Sequence, residues 1–343
     1  MKKIKISING FGRIGRAFFR EVQKNENIEV VAINDLGQLD NLAYLLKYDS
    51  VYKQNNSEIS IKTGDKNILV VDGKEILFLN EKDPVNLPWK DLEVDVVVES
   101  TGVFTTYDKS QVHIEAGAKR VVISAPVKTK SDLINGETIL VGINEEKLKT
   151  CQISSNASCT TNAGSPVLEI LRQTIGIEKA MLNTVHGYTA SQNLVDSTHK
   201  KDFRRGRAAA QNIVPSTTGA AIATTKAITE LEGLFDGIAT RVPVVSGSIV
   251  DITFIAKKDT TVEEVNQILK DASIKEQWKN IFTVTEEPIV SSDILGNPHA
   301  SVVDLSLTRV VGGNLVKILS WYDNEVGYVN TLIRHVISAS ENI

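Results

Sequence analysis

Asn9-Gly10-Phe11-Gly12-Arg13-Ile14-Gly15-Arg16 is the stretch that decides the fold. Before it, Lys3 to Asn9 alternates as a strand does. After it, Ala17, Phe18, Phe19 and Val22 recur at helical spacing. The glycines therefore stand in GxGxxG order between a strand and a helix, the context that dinucleotide binding requires. Gly10 permits the tight turn, Gly12 lets backbone approach a pyrophosphate, and Gly15 lets helix and strand pack closely. A second strand over 28–34 ends at Asp35, twenty residues past Gly15, where a carboxylate can meet a ribose 2′-hydroxyl. A plain βαβ turn would need three glycines and an acid at these places by chance.

Working outward, the first half continues as alternating strands and helices. Short strands with turns at 63–65 and 71–73 fill residues 51–78. Residues 94–98 form an apolar run suited to a buried parallel strand, ending at Glu99-Ser100-Thr101-Gly102. A helix is expected over 109–118, then strands at 120–123, 139–141 and 152–154. Loops after parallel strands line the ligand crevice, which makes Ser124 a cofactor-pocket candidate; a turn hydroxyl is the competing reading. From about Asn156 the order becomes α+β, with longer strands over 180–188, 247–256, 302–311 and 314–322. The expected fold is α/β: a Rossmann-type doubly wound parallel sheet (1–156), joined by a C-terminal helix over 324–343, plus an α+β catalytic domain (157–323). Asp323 or Asn324 is expected to cap that last helix.

The chain has 343 residues, 42% hydrophobic and 23% charged, with net charge −4. That suits two domains and offers no broad basic surface for nucleic acid. The opening residues lack the apolar core of a signal peptide, and no apolar run suits a membrane span, so a cytoplasmic location is expected. The two cysteines, Cys151 and Cys159, have seven residues between them, which fits neither a redox pair nor a zinc site. No metal is expected.

Cys159 stands in Ser155-Asn156-Ala157-Ser158-Cys159-Thr160-Thr161-Asn162, between a strand and an apolar-periodic helix. Unpaired N–H groups and the helix dipole at such a start favour thiolate, the nucleophilic form. A small buried cysteine among capping hydroxyls is the bland reading. Of five histidines, His186 closes an apolar strand, whereas His113 is expected on a surface helix, His199 in a basic loop, and His299 and His335 in polar ends. His186 is therefore the preferred base for Cys159. Residues 189–215 form a long aperiodic loop carrying His199-Lys200-Lys201-Asp202-Phe203-Arg204-Arg205-Gly206-Arg207, read either as solvated or as handling phosphate. Ser216-Thr217-Thr218-Gly219 before a helix is an anion-binding end or a plain cap. Dinucleotide plus activated thiol suggests aldehyde oxidation through a hemithioacetal and a thioester.

These motifs resemble the phosphorylating glyceraldehyde-3-phosphate dehydrogenases over nearly the whole chain. The resemblance rests on INGFGRIGR at the start, LKYDSV (46–51), ESTGVF (99–104), SNASCTTN (155–162) and TVHGYT (184–189). It continues through RRGRAAA (204–210), TTGAA (217–221), RVP (241–243) and SWYDNEVGY (320–328). It implies Cys159 as the acylated nucleophile and His186 as its activator and base. It implies Thr189 and Arg241 as holders of the substrate phosphate, and Ser158, Thr160, Arg205, Thr218 and Gly219 as the site for attacking phosphate. Arg13, Ile14, Asp35, Lys82, Ser124 and Asn324 are implied as cofactor contacts, with Lys82 where many members have arginine. NAD as cofactor, glyceraldehyde 3-phosphate and inorganic phosphate as substrates, and a homotetramer are implied as well.

Some positions depart from the pattern. Ser197-Thr198 follows Asp196 where many NAD-dependent members carry Leu-Pro, and the loop is one residue longer at Lys200-Lys201, which leaves NADP open. Asp35 argues for NAD, because a carboxylate repels a 2′-phosphate. Ala163 stands where a second cysteine is common, and Ser191 where some members have Asp or Thr. Erythrose 4-phosphate oxidation is the nearest alternative. A nucleotide-sensing protein would not need the Cys, His and Arg set, and a Cys–His hydrolase would not need the glycines and Asp35.

Overall fold

The computed structural model describes residues 3–127, 133–200 and 202–343; Lys201 of the basic run lies outside them. The chain forms two compact units, Met1–Ala157 with Leu332–Ile343, and Ser158–Thr331.

The first unit begins β1 (Ile4–Asn9), α1 (Arg13–Val22), β2 (Ile28–Asn34) and α2 (Leu39–Lys47). A small ribbon, β3 (Tyr48–Asp49) and β4 (Lys53–Gln54), precedes β5 (Ile59–Lys62), β6 (Asn67–Val71) and β7 (Lys74–Leu79). Then come β8 (Val96–Glu99), α3 (Tyr107–Glu115), β9 (Arg120–Ile123), β10 (Gly136–Thr138) and β11 (Ile153–Ser155). Among the described residues one sheet has the order β10-β11-β9-β8-β1-β2-β7-β6-β5. Its members from β10 to β7 pair in parallel, and the β5–β6–β7 edge is antiparallel. Val96, Val97 and Val98 are wholly buried, as a strand covered on both faces must be. The chain winds one way from β1 to β2 and the other way from β8 outward, so the topological switch lies between β1 and β8.

Two sequence expectations shift here. The strand expected at 139–141 lies at 136–138, and α3 starts two residues early because Thr106 Oγ1 accepts from Lys109 N (3.2 Å), capping the helix.

The second unit opens with α4 (Cys159–Thr174) and β12 (Ile177–Gly187). It continues through β13 (Val214–Thr217), α5 (Ala220–Ala227), β14 (Phe235–Val242), β15 (Ser248–Ala256) and α6 (Val262–Ser273). β16 (Phe282–Thr285), β17 (Ser301–Asp304), β18 (Arg309–Val311) and β19 (Leu315–Tyr322) follow, and the last helix, α7 (Val326–Ser340), begins in this unit and ends in the first. The sheet order is β13-β14-β12-β15-β19-β17-β16, with β18 also on β19. Its pairings are antiparallel except β12 with β14 and β16 with β17. α4 lies across β12, β15, β17 and β19. Ala180, Leu182, Thr184 and His186 alternate onto the buried face of β12.

The run expected as one strand over 302–311 is broken. Asp304 accepts from Ser306 N (3.2 Å) and Ser306 Oγ (2.6 Å), which stabilises a 3-10 turn at Leu305–Leu307. Asp323, not Asn324, caps α7: its Oδ1 accepts from Glu325 N (2.9 Å) and Val326 N (3.1 Å). The helix was expected whole with the first domain; residues 326–331 instead pack with the second unit and the remainder with the first.

Two histidines, His113 expected on a surface helix and His335 in a polar end, are fully buried. His113 accepts at Nδ1 from Trp89 Nε1 (3.1 Å), so its Nε2–H donates to Glu99 Oε2 (3.1 Å). His335 donates from Nδ1 to Asn156 Oδ1 (3.1 Å) and accepts at Nε2 from Ser154 (2.8 Å). Burial holds the His335 imidazole neutral, with its pKa lowered to about 3. An unfolded histidine protonates near 6.5, so between those values the unfolded chain binds the extra proton and stability falls as pH falls. We expect His335→Gln to flatten the acid side of the stability profile over that window, where one such group contributes up to about 1.4 kcal/mol per pH unit. Urea midpoints from pH 7 to 4 test this; parallel profiles for the two proteins would refute it.

Candidate active site

The Gly-rich turn sits at the switch of the first unit's sheet. Gly10 has φ +97°, and a Cβ there would come within 2.6 Å of Thr101 N. A Cβ on Gly15 would collide with the carbonyl oxygen of Gly10, so α1 can press on β1 only through a glycine. Gly12 is exposed and faces open space, while Arg16 Nη1 braces the turn at Phe11 O (2.7 Å). Asp35 closes the turn from β2: Oδ2 accepts from Phe11 N (2.6 Å) and Oδ1 from Gly37 N (2.7 Å). Arg13 and Ile14 are half-buried at the start of α1, and Arg13 pairs with Asp49 (3.2 Å). Ser124 N donates to Glu99 O (2.8 Å), which places it beside the end of β8; Lys82 is exposed.

One part of this site went unread in the sequence. Glu99 is buried beneath the turn, where its Oε1 accepts from Thr101 N (2.8 Å) and from Thr101 Oγ1, and its Oε2 from Asn9 Nδ2 (2.6 Å). Asn34 Nδ2 then donates to Asn9 Oδ1 (2.7 Å). The signal was an acid ending an otherwise apolar strand.

In the second unit, Ser158 caps α4, accepting from Thr161 N at 3.1 Å, and Cys159 is the helix's first residue. Ala157 just before it holds φ +55°, a conformation alanine seldom takes, with its N–H tied to Ser155 Oγ (3.0 Å). The Cys159 sulfur lies 3.4 Å from His186 Nε2. Of the two neighbours of His186 Nδ1, Gly187 O (2.6 Å) can only accept and Arg241 Nη1 (2.7 Å) can only donate; the shorter contact assigns the proton to Nδ1, which turns the Nε2 lone pair toward the sulfur. Arg241 lies opposite His186 in the β12–β14 register; its Nη1 donates to Gly187 O (3.0 Å) and approaches Nδ1 to 2.7 Å.

Electrostatics follow from this crowding. Burial, reinforced by the Arg241 charge, lowers the His186 pKa to about 3, so the imidazole is a neutral base. Burial also pushes the Cys159 thiol up, against the pull of Arg241 and of the Thr160 and Cys159 amides. The helix start therefore does favour thiolate, as expected from sequence, but desolvation outweighs it. Cys151 is buried, with its thiol pushed up to about 11, and offers no competing nucleophile.

The anion candidates fall in two groups. Arg205 Nε donates to Ser216 Oγ (2.8 Å) and its Nη2 to Thr217 O (3.2 Å), so it sits against the segment leading into Thr218 and Gly219. Thr218 Oγ1 accepts from Ala220 N (3.2 Å) at the start of α5, and Gly219 is that helix's cap. Arg205 is also near enough to Arg241 to bear on its charge. Thr160 is buried, its hydroxyl 3.0 Å from Tyr322 OH. Thr189 shares a hydrogen bond with Ser191 Oγ (2.8 Å). Asn324 is buried, with Oδ1 facing Ser246 Oγ (3.3 Å), Gly247 N (3.1 Å) and Ser248 Oγ (3.0 Å). Three donors on the oxygen orient the amide so that its NH₂ is the free end.

Comparison with known proteins agrees with the two-part architecture. Residues 4–107 match the family model for the glyceraldehyde 3-phosphate dehydrogenase NAD binding domain, and residues 158–324 match that for its C-terminal domain. The chain is 50% identical over 332 residues to glyceraldehyde-3-phosphate dehydrogenase of Thermotoga maritima, covering 96% of this chain and 97% of that one. It is 48% identical over 332 residues to the Geobacillus stearothermophilus enzyme of that name, covering 96% of each.

The close approach at Gly15 has a measurable cost. We expect Gly15→Ala to force α1 off β1 and to lower stability by about 1–3 kcal/mol, the usual penalty of overpacking. Guanidinium denaturation reads this directly, and an unshifted midpoint would mean the turn tolerates a methyl group.

Proposed function

The chain belongs to the glyceraldehyde-3-phosphate dehydrogenase family, and from that premise we propose that it catalyses the reversible, phosphorylating oxidation of glyceraldehyde 3-phosphate to 1,3-bisphosphoglycerate. This is a cytoplasmic step of glycolysis. The observation that carries the proposal is the 3.4 Å contact between Cys159 Sγ and the lone pair of a neutral His186, with Arg241 alongside.

The first unit fits the cofactor named by its family model. The glycines at 10 and 15 exclude side chains, Gly12 leaves backbone open, and Asp35 is held at the end of β2. Gly10, Gly12, Arg13, Ile14, Gly15, Asp35, Lys82 and Ser124 would hold NAD, and the free NH₂ of Asn324 would donate to its carboxamide. Bound NAD supplies the two-electron acceptor that turns a thiol–aldehyde adduct into a thioester.

The remaining chemistry belongs to the chain's own side chains. His186 Nε2 takes the Cys159 proton as sulfur adds to the aldehyde carbon, and that proton passes to the new alkoxide to give a hemithioacetal. The same nitrogen takes the hydroxyl proton as the thioester forms. A phosphate oxygen then attacks the thioester carbon, the C–S bond breaks, and sulfur leaves as thiolate to be reprotonated by the imidazolium. Thr189 and Arg241 would hold the substrate's phosphate; Ser158, Thr160, Arg205, Thr218 and Gly219 would hold the attacking one.

The second unit's sheet supports the proposed assembly. On the face away from the buried side chains of β12, Met181 is 56% exposed, Ile238 52% and Leu315 42%. A large apolar sheet face of this kind suits another copy of the chain, in keeping with a homotetramer.

Two measurements test the proposal. We expect steady oxidation to stop after one acylation when inorganic phosphate is withheld, and Cys159→Ser to lose more than about 10³-fold in turnover while binding NAD normally. Equal rates with and without phosphate would rule out the phosphorolysis step, and faster turnover on erythrose 4-phosphate would reassign the substrate. For the cofactor, we expect Asp35→Ala to narrow the NAD-over-NADP preference by about tenfold, the scale of one hydrogen bond to a charged group; an unchanged ratio would mean that Asp35 does not read the ribose.

A further inference from the structure

Cys159 and His186 lie 27 residues apart on different elements, yet their reaction requires a fixed spacing. Cys159 is placed by the first turn of α4 and His186 by the end of β12. Capping by Ser158 sets the helix start but does not join it to the strand.

Tyr322 makes that join. It ends β19, which is separated from β12 by β15, and its side chain is buried to 1% exposure. Its hydroxyl lies 3.0 Å from Thr160 Oγ1 and 2.8 Å from Thr184 Oγ1. Thr160 is the residue after the nucleophile. Thr184 stands two before the base, on the same face of the same strand. One oxygen thus ties the immediate neighbour of each partner. The phenol ring meets the His186 ring edge-on, with centroids 5.9 Å apart at 75°, so it also blocks one direction of imidazole rotation. Burial keeps the phenol protonated, which preserves its dual role as donor and acceptor.

Resting on the reading of Cys159 and His186 as the reacting pair, we infer that Tyr322 is the positioning residue that sets their spacing and orientation, through the Thr160–Tyr322–Thr184 hydroxyl bridge and its ring contact. Its hydroxyl bonds to the neighbours of the reacting pair, Thr160 and Thr184, rather than to the pair itself. Its effect belongs in kcat rather than in cofactor affinity, because a misplacement of about 1 Å at a reacting pair can cost 10²-fold in rate.

Tyr322→Phe keeps the ring and removes the bridge. Thr184→Val breaks one arm of the bridge without touching Tyr322, and covers the case in which Tyr322→Phe folds poorly. For each folded variant, kcat and NAD affinity are measured, together with the pH profile of Cys159 alkylation by iodoacetamide in the absence of substrate. Arg241 and Arg205 are unchanged, so their charges act equally in all forms. We expect kcat to fall about tenfold or more with NAD affinity within about twofold, and the alkylation midpoint to rise by roughly half a unit to one unit, the share of one net hydrogen bond. The double variant should lose little beyond the worse single one, because both act on one bridge. Superimposable alkylation profiles, or losses that simply multiply, would overturn the inference. A Cys159→Ser protein that still turned over would instead break the reading beneath it, so the two failures are distinguishable.

Discussion

A sulfur and an imidazole nitrogen 3.4 Å apart inside a desolvated site form the constraint around which the second unit is arranged. Burial penalises each charged form separately: it pushes the thiol up and the imidazole down. Moving the proton from sulfur to nitrogen nevertheless creates both charges side by side, where each offsets the other's loss of water. The pair can therefore rest neutral and still exchange a proton. Arg241 biases the balance in two directions at once, since its cation favours thiolate and disfavours imidazolium. It does so from a fixed place, opposite His186 in a parallel strand register and sharing the acceptor Gly187 O.

The first unit solves a different problem by backbone geometry. Its turn must bring α1, β1 and the β8 loop together with almost no side-chain volume, which glycine alone permits at positions 10 and 15. The space thus left is stiffened from below. Glu99 gathers Thr101, Asn9 and His113, and His113 in turn takes the indole N–H of Trp89. A buried carboxyl group with donors directed at both of its oxygens is stable where an unpaired one would not be. This network holds the ends of β1 and β8 at the switch point.

What the sequence made legible was what depends on neighbours close in the chain. The glycine spacing, the strand ending at Asp35, and the cysteine at a helix start are local requirements, and each lies where its pattern put it. The family resemblance was equally legible, and the matches over residues 4–107 and 158–324 show it. The misreadings came from partners far away in sequence. His113 looks polar and exposed until Trp89 and Glu99 meet it, and His335 until Ser154 and Asn156 do. α3 buries Tyr107, Ser110 and His113, a stripe at helical spacing that hydropathy alone does not mark as core. The break at Leu305–Leu307 was hidden for the opposite reason. Its apolar run favours a strand, and only the side-chain bonds of Asp304 reveal the turn.

Asp35 shows how closely recognition and architecture can share one side chain. Both of its oxygens already accept backbone N–H groups, from Phe11 within the glycine turn and from Gly37 after β2. Each carboxylate oxygen retains a further lone pair, so the same group can meet a ribose hydroxyl without releasing the turn. Its negative charge would repel a 2′-phosphate, but replacing it to admit one would also strip two amides of their acceptor. Loss of the acid therefore relaxes cofactor choice at the expense of the turn, whereas an uncharged side chain that still accepts, such as asparagine in part, keeps more of the turn's support. The departures at Ser197-Thr198 lie in a separate compact unit from this turn. They can alter how a cofactor is met from elsewhere, but they leave intact the constraint that Asp35 imposes through the turn it holds.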